Sequence, residues 1–324
     1  MPAADRPRTP RRAVHGVLLL DKPLGLTSND ALQKAKRLLR AEKAGHTGTL
    51  DPLATGLLPL CFGAATKFSQ VSLDADKSYR ATLQLGATTT TGDAEGEVLE
   101  LREVALSRAQ VDAACAGFVG AIAQVPPMHS ALKHQGRALY SYARAGVEVE
   151  RAPRAVTIHT IDVVEWRGDR LTLDVRCSKG TYVRTLAADI GAALGCGAHL
   201  AALRRTGSGA LSVEAAHTLE DLAALDEAGR EALLLPADAL LADWPEVRLD
   251  DTEAGRFLTG LRRRVDAADA PCVRVYGPAS QPPAGGRERR AFLGSAHIHG
   301  RELIPTRLLS PLEVQGLLAA SVSP

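Results

Sequence analysis

The 324-residue chain contains no C-x-x-C pair; its five cysteines stand singly at 61, 115, 177, 196 and 272. An odd, scattered set excludes a disulfide framework and a zinc finger, and points to reduced thiols in the cytoplasm. No apolar run approaches the roughly 18 residues of a membrane span. The apolar part of "GVLLLDKP", after the basic start, is too short for a signal-peptide core. Charge of one sign is not in excess either: 39 Lys+Arg face 37 Asp+Glu, a net +2. Catalytic signatures of the common kinds fail one by one. Gly56 is followed by Leu57, which rules out a nucleotide P-loop, and Leu200 stands where "GCGAHL" would need a third glycine for a dinucleotide fingerprint. There is no H-E-x-x-H and no G-x-S-x-G. His297 and His299 share a strand face with no further ligand in sequence nearby, so no metal is expected.

What is present is more specific. Basic clusters at 6–12, 203–205, 262–264 and 287–290 sit apart from acidic stretches at 93–103 and 220–231, a distribution that suits a phosphate-binding face or an ordinary solvated surface. Residues 1–14 read as a disordered basic arm. "GVLLL" reads as a buried strand, Thr27 or Ser28 as the cap of a helix carrying Leu32, Ala35, Leu38 and Leu39 at helical spacing, and "LLPLCFG" as a second buried strand. "SYRATLQLG" is a strand, "TTTGDAEGEV" a long polar loop, "SRAQVDAACAGFVG" a capped helix, and "QGRALYSYARAG" a further helix. A hairpin follows over "AVTIHTIDVVEW" and "RLTLDVRCS", then a helix in "TYVRTLAADIGAALG", a strand in "HLAALRRTGSGALS" and a helix in "TLEDLAALDEAGREALL". Strands and helices mix without a regular βαβ rhythm, so the expectation is α+β with a largely antiparallel sheet flanked by helices. Near 245 the texture changes to short strands, broken by "PASQPPAGGRE" at 278–288, as in a small β-barrel.

"GHTGTLDPLATG", residues 45–56, surrounds a single acid with turn formers. Pro52 pushes Asp51 toward extended geometry, which either aims a carboxylate out of a rigid loop or merely starts a turn.

That stretch does not stand alone. "KPLGLTS" (22–28), "GHTGTLDPLATGLLPLCFGAATK" (45–67), "KSYRATLQLG" (77–86), "SKGTYVRTLAADIG" (178–191) and "GAHLAALRRT" (197–206) follow in this order. Together they closely resemble the bacterial TruB family, tRNA pseudouridine synthases acting on the T-loop uridine at position 55. The resemblance implies a pseudouridine synthase core over 15–245 and a PUA-type RNA-binding domain over 246–324. It implies Asp51 as the nucleophile, with two routes open to it: C1′ of the sugar, or C6 of the uracil ring. By the same matching Tyr79 stacks on the flipped base and is the candidate to move the C5 proton. Tyr182 lies against the substrate, Arg184 beside the nucleophile, and Leu203 lines the uracil pocket. His46 holds the extruded nucleotide, Lys22 and Pro23 underlie the active loop, and Arg204 and Arg205 touch phosphates. Segments 87–97 and 124–136 become tRNA clamps. No cofactor is implied, since the isomerisation is neither a redox step nor a group transfer. The partner is the tRNA T-arm, with no membrane and no obligate protein partner, and the chain is expected to be a monomer. Two rivals remain on the same residues: an RNA-binding folding chaperone without turnover, and the guide-RNA-dependent dyskerin-type branch that shares the aspartate block.

Overall fold

The computed structural model describes residues 10–130, 132–278 and 290–320. β1 (Gly16–Lys22), α1 (Ser28–Leu38), the short β2 (Ala44–His46) and β3 (Ala54–Phe62) come first. Thr27 starts α1 by accepting the Asp30 N–H at 3.0 Å. β3 is buried almost throughout, as a continuous apolar run on an inner strand should be. After α2 (Ser69–Asp74) and β4 (Lys77–Leu85) comes a small hairpin of β5 (Ala87–Thr89) and β6 (Val98–Leu101). α3 (Arg108–Ala116) is opened by a Ser107–Gln110 capping box and leads to β7 (Gly120–Gln124).

The segment expected to be helical over "QGRALYSYARAG" is mostly something else. Gln135 and Gly136 both take positive φ, at 50° and 82°, which closes a tight hairpin of β8 (Lys133–His134) and β9 (Arg137–Ala138) and leaves only α4 (Leu139–Ala143) as helix. β10 (Arg154–Arg167) and β11 (Arg170–Cys177) form the anticipated hairpin; α5 (Val183–Ala193), β12 (Ala198–Ser208) and β13 (Leu211–Ser212) follow. The helix expected at 218–234 is two, α6 (Leu219–Ala224) and α7 (Glu227–Ala232), because Leu225 and Asp226 turn extended and the Asp226 carboxylate caps the second.

β1, β3, β12, β4, β11, β10 and β7 lie side by side in that order, with β2 on β3 and β13 on β12. Only the β3–β12 pair is parallel, with Leu203 opposite Ala54 and Arg205 opposite Gly56; the rest are antiparallel. The α+β expectation with a largely antiparallel mixed sheet therefore holds. α5 packs its buried Val183, Leu186, Ala187 and Ile190 on β4, β11 and β12, and α1 covers β1 and β3.

The remainder builds a curled five-stranded sheet from β14 (Glu246–Arg248), β15 (Arg263–Arg264), β16 (Ala270–Pro278), β17 (Arg290–His299) and β18 (Glu302–Leu308), in the order β14, β16, β17, β18, β15. Two helices that the sequence pattern did not announce, α8 (Asp251–Leu258) and α9 (Pro311–Ala320), accompany it. Its apolar side shares one hydrophobic cluster with Val17, Leu57 and Phe68; the Phe68 and Phe292 rings are 5.2 Å apart. Lys67 adds a polar tie, donating to Leu308 O at 2.8 Å and pairing with Glu313.

Of the expected basic arm, residues 10–14 fall among those described, and they are docked rather than free. Val14 is buried, and Arg12 pairs with Glu227 at 3.0 Å and with Glu231. Of the insert at 278–288, all but Pro278 lies outside the described residues.

One close approach fixes where α5 sits. A Cβ on Gly191 would stand 2.1 Å from Ala198 N, so helix and strand meet only because that side chain is missing. Gly191→Ala gains roughly 0.5–1 kcal/mol of helix propensity, against an overpacking cost of about 1–3 kcal/mol. Urea unfolding should show a net loss of about 1–2 kcal/mol; unchanged stability would mean the contact is not tight.

Candidate active site

The aspartate loop is built between β2 and β3 and pinned at several points. The buried Ser28 hydroxyl accepts Leu50 N–H at 2.7 Å and lies 3.0 Å from Leu50 O. Thr47 N donates to Pro59 O at 3.0 Å, Gly25 N to Pro52 O at 2.8 Å, and Ala54 N to Asp51 O at 3.0 Å. Leu50 is buried immediately before Asp51, so the chain is anchored one residue from the acid. Asp51 does start a turn, which the Ala54 N–H closes, and its side chain nonetheless keeps 44% exposure, so the loop also holds the carboxylate open.

That carboxylate meets Arg184. Arg184 sits in the first turn of α5, its side chain 8% exposed, with Nη2 3.0 Å from Asp51 Oδ2. The guanidinium is held from other sides too. Nη2 donates to His129 O at 2.6 Å, Nη1 reaches Thr91 O at 3.5 Å, and Nη1 lies 3.5 Å from Asp93 Oδ2. Asp93, 4% exposed, is a site residue that sequence reasoning missed. Its other oxygen accepts from Thr91 Oγ1 at 2.5 Å and from Glu95 N at 3.1 Å. A lone acid in a polar loop has no periodic signature; only the long "TTTGDAEGEV" stretch marked the place. That stretch is tied down. Ala94 N donates to Leu200 O and Leu200 N to Gly92 O, both at 3.0 Å, which ties the loop to β12.

Three other expected residues lie within reach of the Asp51 charge. It bears on the phenols of Tyr79 and Tyr182 and on the Lys22 ammonium. Tyr79 projects from β4 opposite Arg205 and packs, with Leu203, between two core clusters. Burial pushes its phenol up from the ordinary tyrosine value, and the neighbouring Arg205 charge opposes that. Tyr182 is the residue before α5; burial raises its phenol as well, with Ser130 against it. His46 ends β2. Burial, then Arg205, lowers its pKa, and its Nδ1 finds no well-aligned partner among the described residues.

One expectation is overturned. Arg205 does not face phosphates: it is 1% exposed, donating Nε to Leu57 O at 2.6 Å and reaching Gly48 O at 3.4 Å. It braces the aspartate loop from beneath. A Cβ at Gly56 would stand 2.3 Å from Arg205 O, so the two strands touch there through bare backbone. Arg204 is engaged in a two-pronged pair with Asp21, at 2.9 and 2.7 Å. Alternation along β12 turns Arg205 inward, whereas Arg204 keeps 41% side-chain exposure beside Asp21.

Comparison with known proteins decides the family. Residues 36–183 match the model of the TruB family pseudouridylate synthase N-terminal domain, and 184–242 that of the tRNA pseudouridylate synthase B C-terminal domain. The chain belongs to the TruB family of pseudouridylate synthases. It is 58% identical to tRNA pseudouridine synthase B of Verminephrobacter eiseniae, over 99% of this chain and 96% of that one. It is 61% identical to the protein of the same name from Burkholderia lata, over 95% and 94%. Among solved structures it resembles a Cbf5-Nop10-Gar1 complex (26% identity, TM-score 0.68, 92% of this chain, 86% of that one) and the archaeal box H/ACA sRNP Nop10-Cbf5 complex (25%, 0.66, 92%, 86%). The motif order that suggested the TruB family is thus borne out.

Two outcomes test the electrostatics. Arg184→Leu leaves Asp93 buried without its cation and should destabilise the fold by about 3 kcal/mol; Arg184→Leu with Asp93→Asn should recover much of that in chemical denaturation. Lys22 is buried, donating to Pro23 O at 2.8 Å and Leu26 O at 2.6 Å, and burial lowers its pKa from 10.5 to about 8. Between those values the unfolded chain holds the proton and the folded chain has lost it, so stability rises with pH. The unfolding free energy of wild type minus that of Lys22→Met should therefore grow from pH 8 to 10.5; a flat difference contradicts the assignment.

Proposed function

We propose that this chain isomerises uridine to pseudouridine in the tRNA T-loop, at position 55, with Asp51 as nucleophile. The observation that supports this most directly is Asp51 itself: a carboxylate projected from a pinned loop, one oxygen against a buried guanidinium, the side chain 44% exposed. Arg184 Nη2, 3.0 Å from Asp51 Oδ2, holds that carboxylate in one orientation. The reaction breaks C1′–N1, turns the base and joins C1′ to C5; the C5 proton leaves and N1 gains one. Electrons balance without a redox partner.

A uridine in a folded T-loop must be extruded before Asp51 reaches it, at a cost of a few kcal/mol offset by stacking and phosphate contacts. Tyr79 is assigned the stacking face. Its phenol is neutral at rest, so it must give up its own proton before it takes the one from C5; the neighbouring Arg205 charge stabilises that phenolate, which returns to phenol as the C5 proton arrives. Tyr182 closes the opposite side, Leu203 lines the floor, and His46, kept neutral by burial, offers a flat ring to the extruded nucleotide. The curled sheet over 246–308 is assigned the PUA-type role of holding the tRNA, and the β8–β9 hairpin with its flanks that of a clamp. The acid and its cation come from one chain, which supports a monomer acting without a protein partner. Among the described residues no helix is long and apolar enough to cross a membrane. Action on tRNA and unpaired thiols support a cytoplasmic setting.

A T-arm hairpin tritiated at C5 of the target uridine provides the test. Wild type should release label to water with no cofactor added. Asp51→Asn should slow release by more than about 10⁴-fold while still binding the hairpin. Equal release by Asp51→Asn would remove the nucleophile assignment. Binding by wild type without release would instead favour the chaperone reading.

A further inference from the structure

We propose that Gln124 is a positioning residue for the isomerisation, setting the Arg184 guanidinium against Asp51 through the main chain of Tyr182. The inference rests on the proposed catalytic reading and adds to it a residue outside the motif blocks.

Gln124 is the last residue of β7, the edge strand of the main sheet, paired to β10 with Arg154 opposite. Alternation along β7 turns Gln124 inward with Ile122, and it is 1% exposed. An inward strand position ordinarily takes an apolar side chain; a buried amide there needs partners for both ends. Both are supplied by one residue. Tyr182 N donates to Gln124 Oε1 at 3.0 Å, and Gln124 Nε2 donates to Tyr182 O at 3.3 Å. The side-chain amide thus grips Tyr182 as a neighbouring strand would, and only this orientation of the amide satisfies both bonds.

The gripped residue matters because of where it lies. Tyr182 is the extended residue before α5, and its own side chain caps nothing. The start of that helix is therefore fixed from outside, by Gln124. Arg184 follows two residues later in the first turn, so a shift of the Tyr182 backbone carries the guanidinium with it. Gln124 also opens the segment that meets the guanidinium from the other side. Five residues beyond it, His129 O accepts from Arg184 Nη2 at 2.6 Å; next along, Ser130 lies against the Tyr182 phenol. One buried amide joins the helix that carries the cation to the segment that receives it.

Misplacing a catalytic group by about 1 Å is enough to cost up to roughly 100-fold in rate. Gln124→Met keeps length and volume and removes both bonds; Gln124→Glu keeps the acceptor for Tyr182 N–H and loses the donor. Single-turnover release from the tritiated hairpin gives the rate, hairpin affinity is measured in an Asp51→Asn background, and thermal melting reports folding. Gln124→Met should release label roughly 10- to 100-fold more slowly with affinity unchanged, and Gln124→Glu should fall between it and wild type. In an Arg184→Lys background, where the aim is already lost, the Met substitution should cost less than about 3-fold, because effects relayed through one group do not add. Undiminished release by Gln124→Met, an equal cost in the Arg184→Lys background, a loss seen only in affinity, or failure of both variants to fold each overturns the proposal. Absence of release by wild type would instead fail the catalytic reading itself.

Discussion

The site depends on one guanidinium shared between two carboxylates. Arg184 reaches Asp51 at 3.0 Å and Asp93 at 3.5 Å, and the two acids differ in surroundings. Asp93 is enclosed and hydrogen-bonded by its own loop, so it holds the cation in place. Asp51 stands partly open, so its charge is available outward. A buried cation with a single carboxylate would be satisfied at the expense of that carboxylate's reactivity. The second acid, together with the carbonyls of Thr91 and His129, removes that conflict by supplying most of the cation's partners from behind.

The fold serves this arrangement through three close approaches. β3 and β12 run parallel beneath the aspartate loop and touch at Gly56. α5 lies on β12 across Gly191. The β5–β6 loop is stitched to β12 at Leu200, which brings Asp93 over the start of α5. A second buried cation, Arg205, connects Gly48, Leu57 and Tyr79, so the loop, β3 and the β4 tyrosine are tied together.

Much of the scaffold was legible in the chain. Apolar runs gave β1 and β3, alternation gave β4, β10 and β11, and cap residues located α1 and α3. The errors have local causes. Positive φ at Gln135 and Gly136 turned an amphipathic stretch into a hairpin, and Asp226 preferred capping a new helix to continuing the old one. Arg205 was misread because charge predicts exposure only where no buried partner exists; Leu57 and Tyr79 are both distant in sequence.

The sequence by itself determined the chemistry available: an acid in a rigid turn, two tyrosines, an arginine, and no cofactor motif, in an order that points to one family. Tertiary structure alone decided the pairings. Asp93, Gln124 and His129 acquire their parts only once α5 is laid beside them, because a hydrogen bond or ion pair depends on distance in space. Nothing local in a polar loop or an edge strand records which helix will arrive.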